Sequence, residues 1–474
     1  MTNPAPTATS YSHRWAAAII MLVAALMDLI DVSIVNVALP TIRTDLGASG
    51  TQLQWVISAY LLAFAATLIT AGRLGDVLGR KRLFLTGVAL FGVASLASAL
   101  AQNATELIAS RTVQGFAAAI MVPQVLATFR TVFSGKERGA AFGMYGAVAG
   151  LASALGLLLG GVLVTANLFG WHWRSVFLIN IPIVLIILVL AQALVPETRK
   201  PRPERPDYAG MSLLGIGLIA IVYPLLEGQR FGWPAWTYLL IAAGVLLVIL
   251  VAPFGSRLTR PGAAPLLPRA LFKSPAFTAG VLVQLVVSLG LQGLFLVLAL
   301  WLQTGQGYSP IKAGATAAAS SLGAIITAGL SITLASKLGR YILIIGALAM
   351  AAGSYGMLLA AHHASAGVSP WQLVPGLLLF GAGLGLLVVP LSNVVLAAVS
   401  HDLAGGASGI FNTAQQLGGA IGVAVIGAIF FPRLLTDGAT DAFQASMPPI
   451  IGAFAVCAVL SLALPRTAVT DTYE

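Results

Sequence analysis

The chain has 474 residues, of which 58% are hydrophobic and only 8% charged. A water-soluble domain carries about 25% charged residues, so this composition excludes a protein whose main solvent is water. The net charge of +10 raises nucleic acid as a partner, but its distribution along the chain answers that.

Long apolar blocks alternate with short polar segments. Many blocks reach the roughly 20 residues that an α-helix needs to cross a bilayer. In chain order, charges, prolines and glycine clusters delimit spans over 15–39, 51–72, 83–101, 105–129, 140–165 and 175–195. The first block is too long for a signal-peptide core and no small-residue cleavage site follows it, so it is expected to be retained as a span. A charged, proline-rich linker, PETRKPRPERPDY, runs from Pro196 to Tyr208. Two further spans cover 209–226 and 235–254, and a basic second linker follows. Six more cover 275–303, 309–336, 341–361, 371–399, 404–431 and 442–464. The expected fold is therefore all-α, polytopic and of fourteen transmembrane helices.

Loop charges test this count. Alternate segments, beginning with the amino terminus, hold Arg14; Arg73, Arg80, Lys81 and Arg82; Arg130, Lys136 and Arg138; Arg199, Lys200, Arg202 and Arg205; Arg257, Arg260, Arg269 and Lys273; Lys337 and Arg340; and Arg466. The other set holds Arg43, Arg174, Arg230, Lys312 and Arg433, and Arg111 lies inside a span. Cations concentrate on cytoplasmic loops, so both termini are expected in the cytoplasm. Adding or removing one helix would weaken the bias. The cations act as topological anchors, and nucleic acid is not needed to explain them.

An internal repeat is also expected. Leu78, Gly79 and Arg80 recur as Leu338, Gly339 and Arg340. Gly139, Gly143, Gly156 and Gly161 recur as Gly405, Gly409, Gly422 and Gly427 at nearly the same separation. The expected organisation is a six-helix bundle over 1–195, linkers with two inserted helices over 196–272, and a second six-helix bundle over 273–474. The lone Cys457 excludes an internal disulfide.

The motifs at these positions resemble the major facilitator superfamily, and within it the 14-span drug:proton antiporter branch. The loop after the second span, GRLGDVLGRKRL, fits the superfamily signature at Gly72, Leu74, Asp76, Gly79, Arg80 and Lys81. LIASRTVQGFAAA carries the Arg-x-x-Gln-Gly signature at Arg111, Gln114 and Gly115. DVSIVNVALP in the first span is similar to the branch's signature at Asp31, Asn36 and Pro40. WRSVFLINIP from Trp173 and LLEGQRFGW from Leu225 match the start of span six and the loop between spans seven and eight. The antiporter signature of span five departs from the pattern. Gly156, Gly160 and Gly161 are present, but Leu157 stands where the family has proline. The resemblance implies secondary transport without a cofactor, with a small molecule and protons as partners.

The residues carry a physical reading of their own. Asp28 and Asp31 lie three residues apart, about 60° from each other on one helix face, too deep to reach bulk water. Intramembrane ionisable groups default to functional candidates. A carboxylate that takes either a proton or a cation couples the two by competition. Asp31 occupies the family's acidic position and is expected to be the proton and cation site. Asp28 stands where the family has an apolar residue and is expected to tune it, the alternative being a satisfied contact to a neighbouring helix. Arg111 requires a partner or water. Gly72, Asp76, Gly79, Arg80 and Lys81 are expected to form a charged latch at the cytoplasmic rim. Gly143, Gly156, Gly160 and Gly161 are expected to permit close helix packing. Tyr60, Gln114, Gln124, Gln284, Gln292, Asn393, Asn412 and Gln416 are candidate polar handles, either on the substrate path or in interhelical hydrogen bonds.

Other classes find less support. No G-x-x-x-x-G-K-[ST] stretch occurs, and no H-E-x-x-H or cysteine cluster suggests a metal. A membrane hydrolase would require serine and histidine at matching depth. A transport-inactive scaffold would not require the intact loop signature. The expectation is export of lipophilic, cationic compounds in exchange for protons by a monomer in a bacterial cytoplasmic membrane. The alternatives are export of one metabolite or antibiotic, and proton symport. A reporter fused after Glu474 is expected to behave as cytoplasmic, and one inserted between Gly228 and Pro234 as external. The reverse at either place overturns the span count.

Overall fold

The computed structural model describes residues 11–199, 207–258, 266–363, 367–397, 399 and 403–465. The chain ends lie outside the described residues, as do Lys200, Arg202, Arg205, Arg260 and Arg466 of the charge pattern. Among the described residues every regular element is helical. They are α1 (Arg14–Leu46), α2 (Gly50–Leu78), α3 (Arg80–Leu100), α4 (Ala104–Val132), α5 (Gly135–Ala166), α6 (Ser175–Leu178) and α7 (Asn180–Leu194). Then come α8 (Tyr208–Glu227), α9 (Ala235–Leu258), the short α10 (Arg269–Phe272) and α11 (Pro275–Leu300), which continues as a π-turn to Gly305. The last are α12 (Pro310–Leu338), α13 (Tyr341–His362), α14 (Pro370–Ala397), α15 (Ala404–Thr436) and α16 (Ala439–Ser461).

Thirteen segments among the described residues are long and apolar enough to cross a membrane, with α6 and α7 forming one of them. Ala235–Val251 within α9 is a shorter apolar stretch. Helix ends follow local chemistry. Ser49 and Gln52 form a reciprocal capping box at α2, and the Asn103 side chain caps α4. The expected end of the first span at residue 39 is too early: α1 runs through Pro40 to Leu46 and stops at Gly47, whose φ is +61°. Only the amide of Pro40 is missing from the ladder, whereas Gly47 adopts the left-handed turn that ends a helix at little cost.

The packing pairs repeat along the chain. In the first run α2 and α3 pack on α4, α1 packs on α5 and α7, and α3 packs on α7. In the second run α12 and α13 pack on α14, α11 packs on α15 and α16, and α13 packs on α16. α8 and α9 pack on each other through Gly217 and Gly244, and α8 also lies on α2 and α15. The Glu227 carboxylate accepts from Trp55 Nε1 at 2.9 Å and so ties α8 to α2.

The two runs join along two seams, α5–α12 and α2–α15. At the face opposite the start of α1 both seams are closed: on α2–α15 a Cβ on Gly50 would meet Phe431, and one on Gly427 would meet Gln54, each at 2.5 Å. Ile311 N donates to Thr165 Oγ1 at 3.2 Å, and Gln303 Nε2 to the Val37 carbonyl at 3.0 Å. A Cβ on Gly161 would meet the Pro310 and Ile311 backbone at 2.7 Å, and one on Gly156 would meet Ser33 at 2.6 Å. A Cβ on Gly160 would meet Ile34 at 3.0 Å. These three glycines bring α5 onto α1 and α12, as expected of small residues at membrane helix contacts.

Gly143 corrects the expectation. A Cβ there would meet nothing within 4 Å, and the same holds for Gly139, Gly146 and, on α12, Gly329. α5 and α12 diverge toward the amino-terminal face, and Gly150 against Ile325 at 3.9 Å is the last glycine on α5 to touch α12. The conformation is closed on the opposite face and parted between α5 and α12 on the amino-terminal face.

Gly115 gives a direct packing test, because its Cβ position overlaps the Tyr60 carbonyl of α2. Gly115→Val is expected to lose about 1–3 kcal/mol, typical of overpacking. The drop reads as a lower melting midpoint in detergent. An unchanged midpoint would show that α4 does not depend on this approach.

Candidate functional site

A buried polar cluster lies at mid-depth of the first run of helices, drawn from α1, α2, α3, α4 and the α6–α7 junction. Arg111 on α4 is 1% exposed and Asp31 on α1 is 1% exposed. Arg111 Nη1 donates to Asp31 Oδ2 at 2.5 Å and to Gln114 Oε1 at 2.6 Å. Its Nε donates to the Val56 carbonyl at 3.3 Å. The guanidinium carbon lies 4.3 Å from the centre of the Tyr60 ring and 5.8 Å from that of Phe177. A desolvated guanidinium over an aromatic face gains roughly 2 kcal/mol.

Asp31 receives more than the arginine. Its Oδ1 accepts from Gln114 Nε2 and from Asn180 Nδ2, each at 2.9 Å. Ser95 on α3 accepts from the same two amides at 2.9 and 3.2 Å. The Asp31 carboxylate is thus bound on both oxygens, one of them by an ion pair. Removing one partner of such a pair costs about 3–5 kcal/mol, because the other charge is left buried and uncompensated.

Asp28 lies one turn back on α1 and is 4% exposed. Its hydrogen-bond partner is neutral: the Tyr60 hydroxyl donates to Asp28 Oδ1. Tyr60 therefore links the two acids, with its ring on Arg111 and its hydroxyl on Asp28.

Local sequence explains the assembly. Gly115 lets α4 settle on the backbone of α2, which brings Arg111 to the Val56 carbonyl and the Tyr60 ring. Pro182 lacks the amide that would bond Leu178, so one rung of the ladder is missing between α6 and α7 while Ile179 keeps helical φ and ψ. Asn180 sits at that missing rung. Its depth is fixed by Asp45 at the end of α1, which accepts from Trp173 Nε1 at 2.7 Å and Arg174 Nη1 at 2.5 Å.

The structure brings together Asp28, Asp31, Arg111, Tyr60 and Gln114 of the sequence-derived candidates. It does not bring in the others. Gln124 donates to the Ala71 carbonyl at 3.0 Å and binds α4 to α2. Gln284 donates to Ser288 on its own helix at 3.1 Å, and Asn412 to the Ser408 carbonyl at 3.0 Å. Gln292 packs its chain on Gly419, Gln416 is half-buried, and Asn393 is exposed. Sequence reasoning missed Asn180 and Ser95. Asn180 lies inside the matched WRSVFLINIP stretch as an amide in an apolar run, which was a usable signal. Ser95 offered none, since serine is common in such helices.

The loop candidates form a second cluster at the amino-terminal face. Asp76 accepts from Arg80 Nη2 at 2.7 Å and Nε at 3.2 Å. Arg80 Nη1 also donates to the Ala127 carbonyl of α4 at 3.0 Å. Lys81 Nζ donates to the Gln192 carbonyl at 2.6 Å, and its amide to Glu197 at 3.2 Å. Gly79 turns with φ +104° against the Glu197 carboxylate. Gly72 faces Pro123 at 3.7 Å. All these partners belong to the first run of helices or, for Glu197, to the linker just after it, and none to the second run.

Comparison with known proteins agrees with this architecture. The family model described as Major Facilitator Superfamily matches residues 21–423. The chain is 41% identical over 441 residues to a probable actinorhodin transporter of Streptomyces coelicolor, covering 91% of this chain and 76% of that protein. It is 35% identical to a puromycin resistance protein of Streptomyces alboniger, covering 97% and 93%. A multidrug resistance protein of Mycobacterium tuberculosis is 31% identical, with 85% and 73% covered. Among solved structures, a D-xylose–proton symporter superposes with a TM-score of 0.68 at 15% identity over 96% of this chain and 99% of that one, which shows the fold alone. This chain is therefore a multi-pass membrane transporter of the Major Facilitator Superfamily, and its relatives include a probable antibiotic transporter and antibiotic and multidrug resistance proteins.

Proposed function

We propose that the chain exports lipophilic, cationic small molecules across a bacterial cytoplasmic membrane in exchange for protons. It does so as a monomer of fourteen spans. Bundles over 1–195 and 273–474 flank the inserted pair, and the termini are cytoplasmic. The observation that carries the reading is the charge balance of the buried cluster. Asp28 and Asp31 are two acids for one base, Arg111. The cluster therefore accepts one more positive charge, which a proton or a cationic substrate can supply. Competition for that single place is the minimal chemistry of antiport. The charge bias of the loops supports a cytoplasmic amino-terminal face, and the parted α5–α12 seam then opens to the cytoplasm, where an exporter loads.

Purified protein in weakly buffered detergent is expected to release protons when tetraphenylphosphonium is added. Release should decline as pH rises, because fewer sites then hold a proton. Transport without proton movement at any pH would overturn antiport. The 41% identity to a probable actinorhodin transporter favours a second reading, export of one antibiotic or metabolite. A growth screen in an efflux-deficient host separates the two: resistance to many unrelated compounds supports the first, resistance to one compound the second.

The Asp76–Arg80 cluster is the proposed gate. In the present conformation its partners lie within the first run of helices and the linker just after it, so closing the α5–α12 seam would place the cluster against the second run. The pair is half-buried, and the side-chain oxygen of asparagine can still accept from Arg80, so Asp76→Asn is expected to leave the amount of folded protein in the membrane near normal while removing most transport. Undiminished transport would return the loop to a topological signal.

A further inference from the structure

The proposed exchange leaves open which acid gives up its proton, and the geometry separates the two. We infer that Asp28 exchanges its proton for the cation and that Asp31 is the fixed counter-ion of Arg111, an inference that rests on the exchange reading above.

Three observations carry it. First, Asp31 is saturated as an anion. Both oxygens accept hydrogen bonds, from Arg111 at 2.5 Å and from Gln114 and Asn180 at 2.9 Å. A proton on Asp31 would displace one of these donors and leave Arg111 as a lone buried cation, which is far costlier than leaving the pair intact. Second, Asp28 has a neutral partner. The Tyr60 hydroxyl donates to it and can do so whether the acid is charged or not. Third, the hydrogen bonds of Arg111 go elsewhere: Nη1 serves Asp31 and Gln114, Nε serves the Val56 carbonyl, and its ion pair is with Asp31.

Among the described residues Arg111, already paired with Asp31, is the one cation that faces Asp28. The titratable groups that face it are Asp31 on its own helix, Tyr60 on α2, Arg111 on α4 and, within electrostatic range, Tyr145 on α5. α7 and α11 carry no titratable side chain, and those of α12 lie at its ends, Lys312 and Lys337. Ionised Asp28 is then the uncompensated charge of the site, and a proton or a lipophilic cation neutralises it. Beside it Leu29 and Val32 are half-buried, apolar surface suited to such a cation. In the step itself the Asp28 O–H bond breaks, the proton leaves to solvent, and the carboxylate pairs with the incoming cation. Asp31 and Arg111 keep their protonation throughout. Tyr60 is a positioning residue.

The proton site is tested first without substrate. Difference infrared spectroscopy between acid and alkaline pH on the purified full chain is expected to show the carbonyl stretch of a buried, titrating carboxylic acid. Asp28→Asn should abolish that band. Asp31→Asn alone strands Arg111, so the charge-balanced pair Asp31→Asn with Arg111→Gln is used instead, and it should keep the band. Tyr60→Phe should keep it at a displaced frequency, since one hydrogen bond to the acid is lost, whereas a merely structural tyrosine would leave the frequency unmoved. Tetraphenylphosphonium should remove the band from the wild-type protein by displacing the proton. The inference is overturned if the band survives Asp28→Asn, if it vanishes in folded Asp31→Asn/Arg111→Gln, or if the wild type shows none. A band that belongs to Asp28 but ignores every cation tested would leave the proton site standing and sink the efflux coupling instead.

Discussion

The buried guanidinium of Arg111 is the constraint on which the first run of helices is arranged. A charge at that depth is tolerated only if paired and hydrogen-bonded on every side. α1 supplies a carboxylate, α2 a carbonyl and an aromatic face, α3 a hydroxyl behind the donors, and the α6–α7 junction an amide. Each element must hold its depth and rotation for that list to close. Several features far from the arginine serve this end, including Gly115 against Tyr60 and the Asp45 clasp on Trp173 and Arg174. Polar groups in an apolar medium thus act as register pins where burial alone would let helices slide.

With Arg111 compensated by Asp31, Asp28 stands outside the balance. This division gives the site one stable part and one variable part. The second run of helices has no comparable cluster among its described buried groups; its contacts to the first run are small residues and apolar side chains, with few hydrogen bonds. Such surfaces part and close at low cost, since little that is directional is broken. The α5–α12 seam, joined at one face and parted at the other, has the asymmetry that alternating access requires. The α2–α15 seam is covered by α8, so the inserted pair leaves α5–α12 as the less encumbered of the two.

Much of the fold was legible in the sequence, for a single reason: a bilayer forces each backbone polar group into a helix and each helix to a minimum apolar length. Hydropathy and cation placement then report the spans, and the repeat of Leu78, Gly79 and Arg80 as Leu338, Gly339 and Arg340 anticipates the repeated packing pairs. Ends were less legible. α1 passes Pro40 because one missing amide does not end a helix whose next turn is satisfied. Gly143 read as a packing glycine, yet it faces the parted seam; composition does not encode which conformation a two-state interface occupies.

For the site, sequence alone determined which residue types lie too deep to be solvated, namely Asp28, Asp31 and Arg111, because depth follows from position along an apolar helix. It also supplied the motif positions of Gln114 and Gly115. Only the tertiary structure decided who pairs with whom. That Arg111 chooses Asp31, that Asn180 and Ser95 complete its shell, and that Tyr60 turns to Asp28 depend on the rotation and approach of five helices. A carboxylate's role as fixed counter-ion or variable charge is set by the donors around it, and those donors are contributed by residues as far apart in the chain as Asp31 and Asn180.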